Sequence, residues 1–202
     1  MKKMFNICLI AVFLLSMSAF AVAGDDDKYT LGNKVSDFSL KDINGTEHSL
    51  EGFLKDKTTK GVVFVFVSKN CPVSNACDAR YKEMAPAFKE KGILFVGINS
   101  NKTESVEDIR MASDEREYNF PILKDWDNVI ADRFGAEFTP HAYFIGSDGV
   151  LLYKGRIDDN HRNASKVQEN TLSMVVDEYL SGKKLSYSET KSNGCTIKRV
   201  NK

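Results

Sequence analysis

Two uninterrupted apolar runs, each bordering a helical pattern, constrain the fold of this chain most strongly. Residues 60–68 read KGVVFVFVS and residues 92–100 read GILFVGINS. Runs rich in β-branched and aromatic residues are typical of strands that are buried on both faces of a sheet. The segment from Pro72 to Lys91 has helical periodicity, with the proline suited to the first turn and Gly92 to the C-terminal cap. Strand, helix and strand in this order predict a parallel βαβ unit.

Hairpin signals flank this unit on both sides. Residues 37–50 alternate apolar and polar side chains around Asn44-Gly45, and residues 141–155 turn at Asp148-Gly149. Further helices are predicted at residues 105–118, 128–134 and 165–182, the first opening with the capping-box residues Ser105 and Asp108. Together these elements predict an α/β fold, with a central mixed β-sheet flanked by helices and an N-terminal β-hairpin.

The first 23 residues are expected to be a signal peptide. Lys2 and Lys3 precede an apolar stretch at residues 7–15, and the small residues at 21–23 form a cleavage pattern. The uninterrupted apolar part is shorter than the roughly 20 residues that span a bilayer. We therefore expect an exported, periplasmic product with no membrane segment after cleavage. Residues 24–182 are predicted to form one domain, and residues 183–202 a C-terminal tail.

Charge and cysteine content exclude two classes of protein. The chain has 28 Lys and Arg against 28 Asp and Glu, and this balance argues against a nucleic-acid partner. Signal cleavage leaves Cys71, Cys77 and Cys195, too few in a chain of this length for a disulfide scaffold. An odd number leaves at least one thiol free or joined to another molecule. No haem, flavin or nucleotide motif is visible, so no cofactor is expected.

Cys71 is the candidate nucleophile. It is predicted to lie where a buried strand ends and a helix begins, and unpaired N–H groups at a helix N-terminus favour a thiolate. Ser68 is three residues earlier and is a candidate to donate a hydroxyl hydrogen bond to the same sulfur. A buried, inert cysteine is the alternative, and the strand-end position disfavours it.

Two cysteines are candidates to resolve an oxidised Cys71. Six positions along a continuous helix separate Cys77 from Cys71 by a rise of about 9 Å, whereas a disulfide needs Cα atoms within about 7 Å. A bond to Cys77 would therefore require the first turn to unwind, and a cysteine packed against the core explains Cys77 equally well. Cys195 follows the sequence SNG in a tail expected to be mobile, so it is the preferred resolving residue.

Two further side chains have open roles. His141 follows Pro140 at the start of a predicted strand, where it is a candidate base or metal ligand, although a lone histidine is more often structural. Arg156 would stabilise a thiolate and orient a peroxide oxygen if it lay beside Cys71. Its alternative is a surface ion pair with Asp158 or Asp159.

Five motifs together resemble a known family: LGNKVSDFSLKDINGTEHSL, VFVFVSKNCPVS, LFVGINSN, FTPHAYFIGSDGVLLYKGRIDD and GCTIK. Over about residues 29–200 the chain resembles the thioredoxin-fold redoxins, and most closely the peroxiredoxin-like branch related to alkyl hydroperoxide reductase and thiol-specific antioxidant proteins. The resemblance implies a thioredoxin-like fold, with Thr139-Pro140 as the cis-proline loop facing Cys71. It also implies that Cys71 is the peroxidatic cysteine, because Ser68-x-x-Cys71 fits the family motif, and it makes Arg156 the candidate for the arginine beside the thiolate.

Three positions depart from the family pattern. Phe64 stands where peroxiredoxins have a proline, and Ser68 stands where relatives in this branch often have the first cysteine of a Cys-x-x-Cys pair. Ser74 stands where thioredoxins have their second cysteine. Resolution of an oxidised Cys71 is therefore left to Cys77, Cys195 or an external thiol.

Three functions are compatible with these residues. The first is an exported thiol-dependent redox protein, either a peroxiredoxin-like antioxidant or a thiol-disulfide oxidoreductase, with a peroxide or protein disulfide as substrate and an external thiol as reductant. The second is a copper-handling protein that uses Cys71, Cys77 and His141, since soft thiolates suit Cu(I). The third is a binding module that keeps the fold without turnover.

Overall fold

The structure, a computed structural model, describes residues 28–201, so the expected signal peptide lies outside the described residues. Strands and helices alternate along most of this part of the chain. The strands are β1 (Ser39–Lys41), β2 (Glu47–Ser49), β3 (Gly61–Phe66), β4 (Ile93–Asn99), β5 (Ile122–Lys124), β6 (Phe138–Thr139), β7 (His141–Gly146), β8 (Leu151–Gly155) and β9 (Cys195–Thr196). The helices are α1 (Leu50–Leu54), α2 (Pro72–Asn75), α3 (Asp78–Glu90), α4 (Val106–Glu115), α5 (Val129–Phe134) and α6 (Thr171–Leu180).

A five-stranded mixed sheet in the order β5-β4-β3-β7-β8 forms the centre of the fold. Strand β3 pairs in parallel with β4, which pairs in parallel with β5, whereas β7 runs antiparallel to both β3 and β8. The hairpin of β1 and β2 turns at Gly45, where a φ of +87° suits a residue without a Cβ. These findings confirm the predicted α/β class, the mixed sheet and the N-terminal hairpin.

Strand β3 is buried on both faces, as its composition predicts. Val63 and Val65 enter the core formed with α3, α4 and α6, which includes Tyr81. Phe64 enters the opposite core, which α1 and α5 cover and which includes Phe134. Successive side chains of a strand point to opposite faces, so an uninterrupted apolar run serves two cores at once. The carboxyl end of this rigid central strand leads directly to Cys71.

The prediction of one continuous helix from Pro72 to Lys91 is wrong. The segment is divided at Ala76 and Cys77 into the short α2 and the longer α3. The Ala76 carbonyl, which would lie inside a continuous helix, accepts a hydrogen bond from Arg80 Nη2 at 2.8 Å. The Arg80 side chain thus satisfies this carbonyl at the break. Because the helix is interrupted, the separation of Cys71 and Cys77 expected for a continuous helix does not apply.

The other predicted elements form with shifted ends. The capping box of Ser105 and Asp108 opens α4 as predicted, but this helix ends at Glu115. Helix α6 begins only at Thr171, because residues 164–166 form a separate 3-10 turn and the Gln168 N–H donates to Asp159. The short strands β5, β6 and β9 were not predicted from the sequence.

The C-terminal tail packs along the domain, and the expectation that it is mobile is wrong. The Ser192 hydroxyl donates to the Pro140 carbonyl at 2.6 Å, and the Ile197 N–H donates to the Glu137 carbonyl at 2.9 Å. Between these contacts β9 pairs antiparallel with β6. Hydrogen bonds therefore fix the tail on both sides of Cys195. Within residues 28–201, no helix combines the length and the apolar character needed to cross a membrane.

Candidate active site

Cys71 caps the N-terminus of α2, directly after the loop that leaves β3. Its backbone is extended, with φ −92° and ψ 111°, and its sulfur accepts a hydrogen bond from the Ser74 N–H at 3.3 Å. The side chain is only 1% exposed. The predicted position at a strand-to-helix junction is therefore correct, and the helix presents a donor to the sulfur.

The cis-proline loop lies against this cysteine. The peptide bond between Thr139 and Pro140 is cis, as the resemblance implies. The Cys71 thiol donates to the Thr139 carbonyl at 3.0 Å, and Thr139 itself is buried. Residues far apart in the chain thus meet at the end of the central sheet.

Cys195 completes the site. It pairs with Thr139 in the register of β9 and β6, and its thiol lies beside that of Cys71, whose pKa it lowers. The preceding residue must be small, since a Cβ on Gly194 would lie 2.1 Å from the Thr139 carbonyl oxygen. Glycine therefore lets the tail approach the cis-proline loop closely enough to place Cys195 beside Cys71.

The pKa values of the two thiols are shifted in opposite directions. Burial raises the pKa of Cys71, but the Cys195 thiol, the Thr139 hydroxyl and the Ser74 N–H stabilise the thiolate and outweigh burial, so the pKa lies below its ordinary value. Burial raises the pKa of Cys195, and the neighbouring Cys71 sulfur raises it further. The first proton is thus lost from Cys71, while Cys195 stays protonated as a donor to the thiolate.

Cys77 has the character of a core cysteine. It is fully buried, and its thiol points to the His161 carbonyl oxygen at 3.8 Å. Burial raises its pKa to about 11. A neutral, buried thiol is a poor nucleophile and a poor partner for exchange, so this position favours the packing role over the resolving role.

The expected hydrogen bond from Ser68 to the Cys71 sulfur is replaced by another. The Ser68 hydroxyl donates to Glu104 Oε1 at 2.5 Å. The same carboxylate accepts the N–H groups of Lys69 at 3.1 Å and Asn70 at 3.2 Å. Sequence reasoning missed Glu104, whose only signal is an acidic residue one position before the cap of α4.

Arg156 pairs with neither of its expected partners. Its Nη2 donates to Glu169 Oε1 at 2.6 Å and its Nε to Thr171 Oγ1 at 2.9 Å. The guanidinium is therefore held by Glu169 and Thr171 rather than by the Cys71 thiolate. Asp158 forms a buried ion pair with Arg80 instead of Arg156.

His141 does not join the cysteines in a metal site. Its Nδ1 lies 3.1 Å from the Tyr143 hydroxyl, and burial lowers its pKa to about 4, with a further contribution from Lys154. Within residues 28–201 no group of three or more His, Cys, Asp or Glu side chains could hold a metal ion. Cys71, Cys77 and His141 are therefore not brought together as one copper site.

A cavity of about 270 Å³ is lined by residues of the cis-proline loop and of the C-terminal tail. Pro140 lines it from the cis-proline loop, and Ser192 and Asn193 line it from the tail. Charged residues on its other side include Arg156 and Asp159. The cavity offers a polar recess next to the cis-proline loop.

Comparison with known proteins agrees with this geometry. Residues 31–154 match the model of the AhpC/TSA family. The thiol-disulfide oxidoreductase ResA of Oceanobacillus iheyensis is 29% identical over 146 residues, which cover 70% of this chain and 75% of that protein.

Solved structures of other proteins resemble this fold. A hypothetical protein from Sinorhizobium meliloti is 29% identical with a TM-score of 0.76, and the match covers 86% of this chain and 96% of that one. Peroxidoxin BcpB from Mycobacterium tuberculosis is 25% identical with a TM-score of 0.54, covering 62% of this chain and 84% of that one. The thioredoxin domain of a thiol-disulfide oxidoreductase from Bacteroides vulgatus is 20% identical with a TM-score of 0.56, covering 69% of this chain and 97% of that one, and this likeness confirms the thioredoxin-like fold.

Proposed function

Because the chain belongs to the AhpC/TSA family, we propose that it is a thiol-dependent oxidoreductase in which Cys71 is the nucleophile and Cys195 the resolving thiol. The observation that carries this proposal is that Thr139 pairs with Cys195 and accepts from the Cys71 thiol, which brings the two thiols together, with a lowered pKa at Cys71 and a raised pKa at Cys195. A thiolate beside a neutral thiol is the arrangement that a dithiol–disulfide cycle requires.

Disulfide exchange is the reaction that the site supports best. The Cys71 thiolate attacks one sulfur of a substrate disulfide, the substrate S–S bond breaks, and the leaving thiolate takes up a proton. Cys195 then loses its proton and attacks the Cys71 sulfur, which breaks the mixed disulfide and releases the second substrate thiol. The substrate gains two electrons and two protons, and the protein is left with a Cys71–Cys195 disulfide, which an external dithiol reduces.

Peroxide reduction is the second candidate, and the likeness to a peroxidoxin favours it. In this reaction the Cys71 thiolate takes one peroxide oxygen and becomes a sulfenic acid, while the remaining oxygen leaves as water or an alcohol. Attack by Cys195 then forms the same disulfide and releases water. Disulfide exchange is preferred because Arg156, the candidate to orient a peroxide oxygen, is paired with Glu169.

Two further expectations belong to this proposal. The cleavage pattern at the N-terminus supports export to an oxidising compartment, where protein disulfides are available as substrates. The polar cavity beside Pro140 is a candidate docking place for the chain that carries the substrate disulfide.

Disulfide mapping by mass spectrometry tests the proposal on the mature protein. The reduced protein is treated with one equivalent of glutathione disulfide or of hydrogen peroxide, and the rate of Cys71–Cys195 bond formation is measured with each oxidant. Faster reaction with the disulfide supports exchange, and faster reaction with the peroxide supports the second candidate. If Cys71 remains a free thiol with both, the protein is a binding module and the proposed function is wrong. The Cys77→Ala variant is the matched control and should behave as wild type.

A further inference from the structure

A buried carboxylate lies directly behind the loop that precedes Cys71. Glu104 is 1% exposed and accepts four hydrogen bonds. Three come from the Ser68 hydroxyl and the N–H groups of Lys69 and Asn70, and the fourth comes from Asn99 Nδ2 at 2.6 Å. A buried carboxylate is tolerated when its oxygens accept several such bonds, and here three of the donors belong to the cysteine loop.

Asn99 connects this carboxylate to a buried lysine. Its Oδ1 accepts from Lys124 Nζ at 2.9 Å, and the same ammonium donates to the Asn101 carbonyl at 2.7 Å. Burial lowers the pKa of Lys124 to about 8, although Glu104 and Asp125 oppose the shift. The amide of Asn99 is thus oriented with its donor toward the carboxylate and its acceptor toward the ammonium.

The same cluster holds the tail that carries Cys195. Asn101 Oδ1 accepts the N–H of Lys198 at 2.8 Å, and the Lys198 carbonyl accepts the N–H of Lys102 at 3.0 Å. The loop before Cys71 and the segment after Cys195 are therefore fixed to one turn of the chain between β4 and α4.

We propose that Glu104 is a positioning residue for the cysteine pair: through the four hydrogen bonds to its carboxylate, it holds the Cys71 loop in register with the tail anchored at Asn101. This inference rests on the proposed function, since it concerns formation of the Cys71–Cys195 bond. Loss of the carboxylate would let the loop shift relative to β9, and the two sulfurs would meet less often in the geometry that a disulfide needs.

Replacing Glu104 by glutamine removes the charge and one acceptor oxygen but keeps the shape of the side chain. Each carboxylate oxygen of Glu104 accepts from the cysteine loop, so an amide NH₂ in place of either oxygen faces at least one N–H or O–H donor. Other bonds keep the loop folded, because the Lys69 carbonyl accepts from Asn75 Nδ2 at 3.0 Å and from Arg116 Nη2 at 3.1 Å. The variant is therefore expected to fold with a displaced loop.

The experiment measures the equilibrium constant for the Cys71–Cys195 disulfide in a series of glutathione redox buffers. We expect the constant for Glu104→Gln to fall about tenfold, because loss of one buried, charge-assisted hydrogen bond has roughly that effect. The control is Glu107→Gln in the first turn of α4, which removes the same charge from an exposed position and should leave the constant unchanged. A variant with Ser68→Ala, which loses one of the four bonds, should show a smaller decrease and serves if Glu104→Gln does not fold.

The outcomes separate the two proposals. If wild-type protein forms no Cys71–Cys195 disulfide in any buffer, the proposed function is wrong. If wild type forms the disulfide and both Glu104→Gln and Ser68→Ala have the wild-type constant, only the role of Glu104 is overturned. If Glu104 only stabilised the fold, the variants would have a lower melting temperature but an unchanged equilibrium constant for the Cys71–Cys195 disulfide.

Discussion

The thiol of Cys195 lies beside the thiol of Cys71 and lowers its pKa, so the two cysteines are neighbours without any movement of the tail. Strand pairing produces this contact, because the backbone of Cys195 lies opposite Thr139, whose carbonyl accepts from Cys71. A resolving cysteine usually has to approach its partner. Here the fold has already placed it, and the lowered pKa of Cys71 depends on it.

Removal of the Cys195 thiol should make Cys71 less reactive. In Cys195→Ala the Cys71 thiolate loses the neighbouring thiol that stabilises it while its burial remains, so we expect the pKa to rise. Alkylation of Cys71 by iodoacetamide at pH 7 should slow several-fold, since one pKa unit changes the thiolate fraction about tenfold. The pH profile of alkylation measures the shift.

Cys77→Ala is the control for this measurement. Burial raises the pKa of Cys77 to about 11, so its removal should leave the alkylation profile of Cys71 unchanged. In folded wild-type protein Cys77 itself should stay unlabelled at pH 8 and react only after denaturation. Rapid labelling of Cys77 in the folded state would contradict its assignment to the core.

A methyl group at position 194 should displace the tail. The Cβ of Gly194→Ala would lie 2.1 Å from the Thr139 carbonyl oxygen, so the tail or the loop must move. We expect a loss of about 1–3 kcal/mol in the free energy of unfolding and slower formation of the Cys71–Cys195 disulfide. Asn193→Ala, an exposed neighbour in the same segment, should have little effect on either. Wild-type disulfide kinetics in Gly194→Ala would show that the close approach is not required.

The ion pair between Arg80 and Asp158 should be a major contribution to stability. Both side chains are buried, and Arg80 also donates to the carbonyls of Ala76, Asn160 and His161. Arg80→Met leaves the Asp158 carboxylate buried without its partner, which typically costs about 3–5 kcal/mol in the free energy of unfolding. Urea denaturation measures the loss.

Lys82→Met on the same helix is the matched substitution for the ion-pair experiment. Lys82 is partly exposed, and its ion pair with the exposed Glu117 is long at 3.5 Å. Surface substitutions of this kind usually change stability by less than about 0.5 kcal/mol. Equal losses for the two variants would contradict the importance of the buried pair.

Stability should decrease at acid pH in part because of His141. Burial lowers its pKa from 6.5 to about 4, so the folded state opposes protonation of the ring. As the pH falls from 6.5 towards 4, the unfolded chain takes up a proton that the folded protein does not. The free energy of unfolding therefore declines over this interval, by at most about 3 kcal/mol from this residue, and is unaffected by it above pH 6.5.

His141→Gln should reduce the pH dependence of unfolding between pH 6.5 and 4. Glutamine keeps an acceptor for the Tyr143 hydroxyl but does not titrate. Thermal unfolding at a series of pH values provides the comparison, with His48→Gln as a second histidine variant that is near the surface. An unchanged slope in His141→Gln would show that other groups cause the acid sensitivity.

The sequence by itself determined the parts of this protein that depend on local pattern. The apolar runs specified the buried strands, Asn44-Gly45 specified the hairpin, and the strand-to-helix junction placed Cys71 at the start of a helix. Each of these features depends on residues within a few positions of one another. Periodicity and turn chemistry act over the same range, so the sequence could reveal them.

Only the tertiary structure decided which side chains meet at the site. Cys195 reaches Cys71 through pairing of two-residue strands too short to have a pattern, and Ser68 bonds to Glu104 rather than to the sulfur. Arg156 pairs with Glu169 although several acidic residues were within reach in the sequence. These choices depend on the register and packing of distant segments. A long-range contact is fixed by the geometry of the whole sheet, which no single stretch of sequence contains.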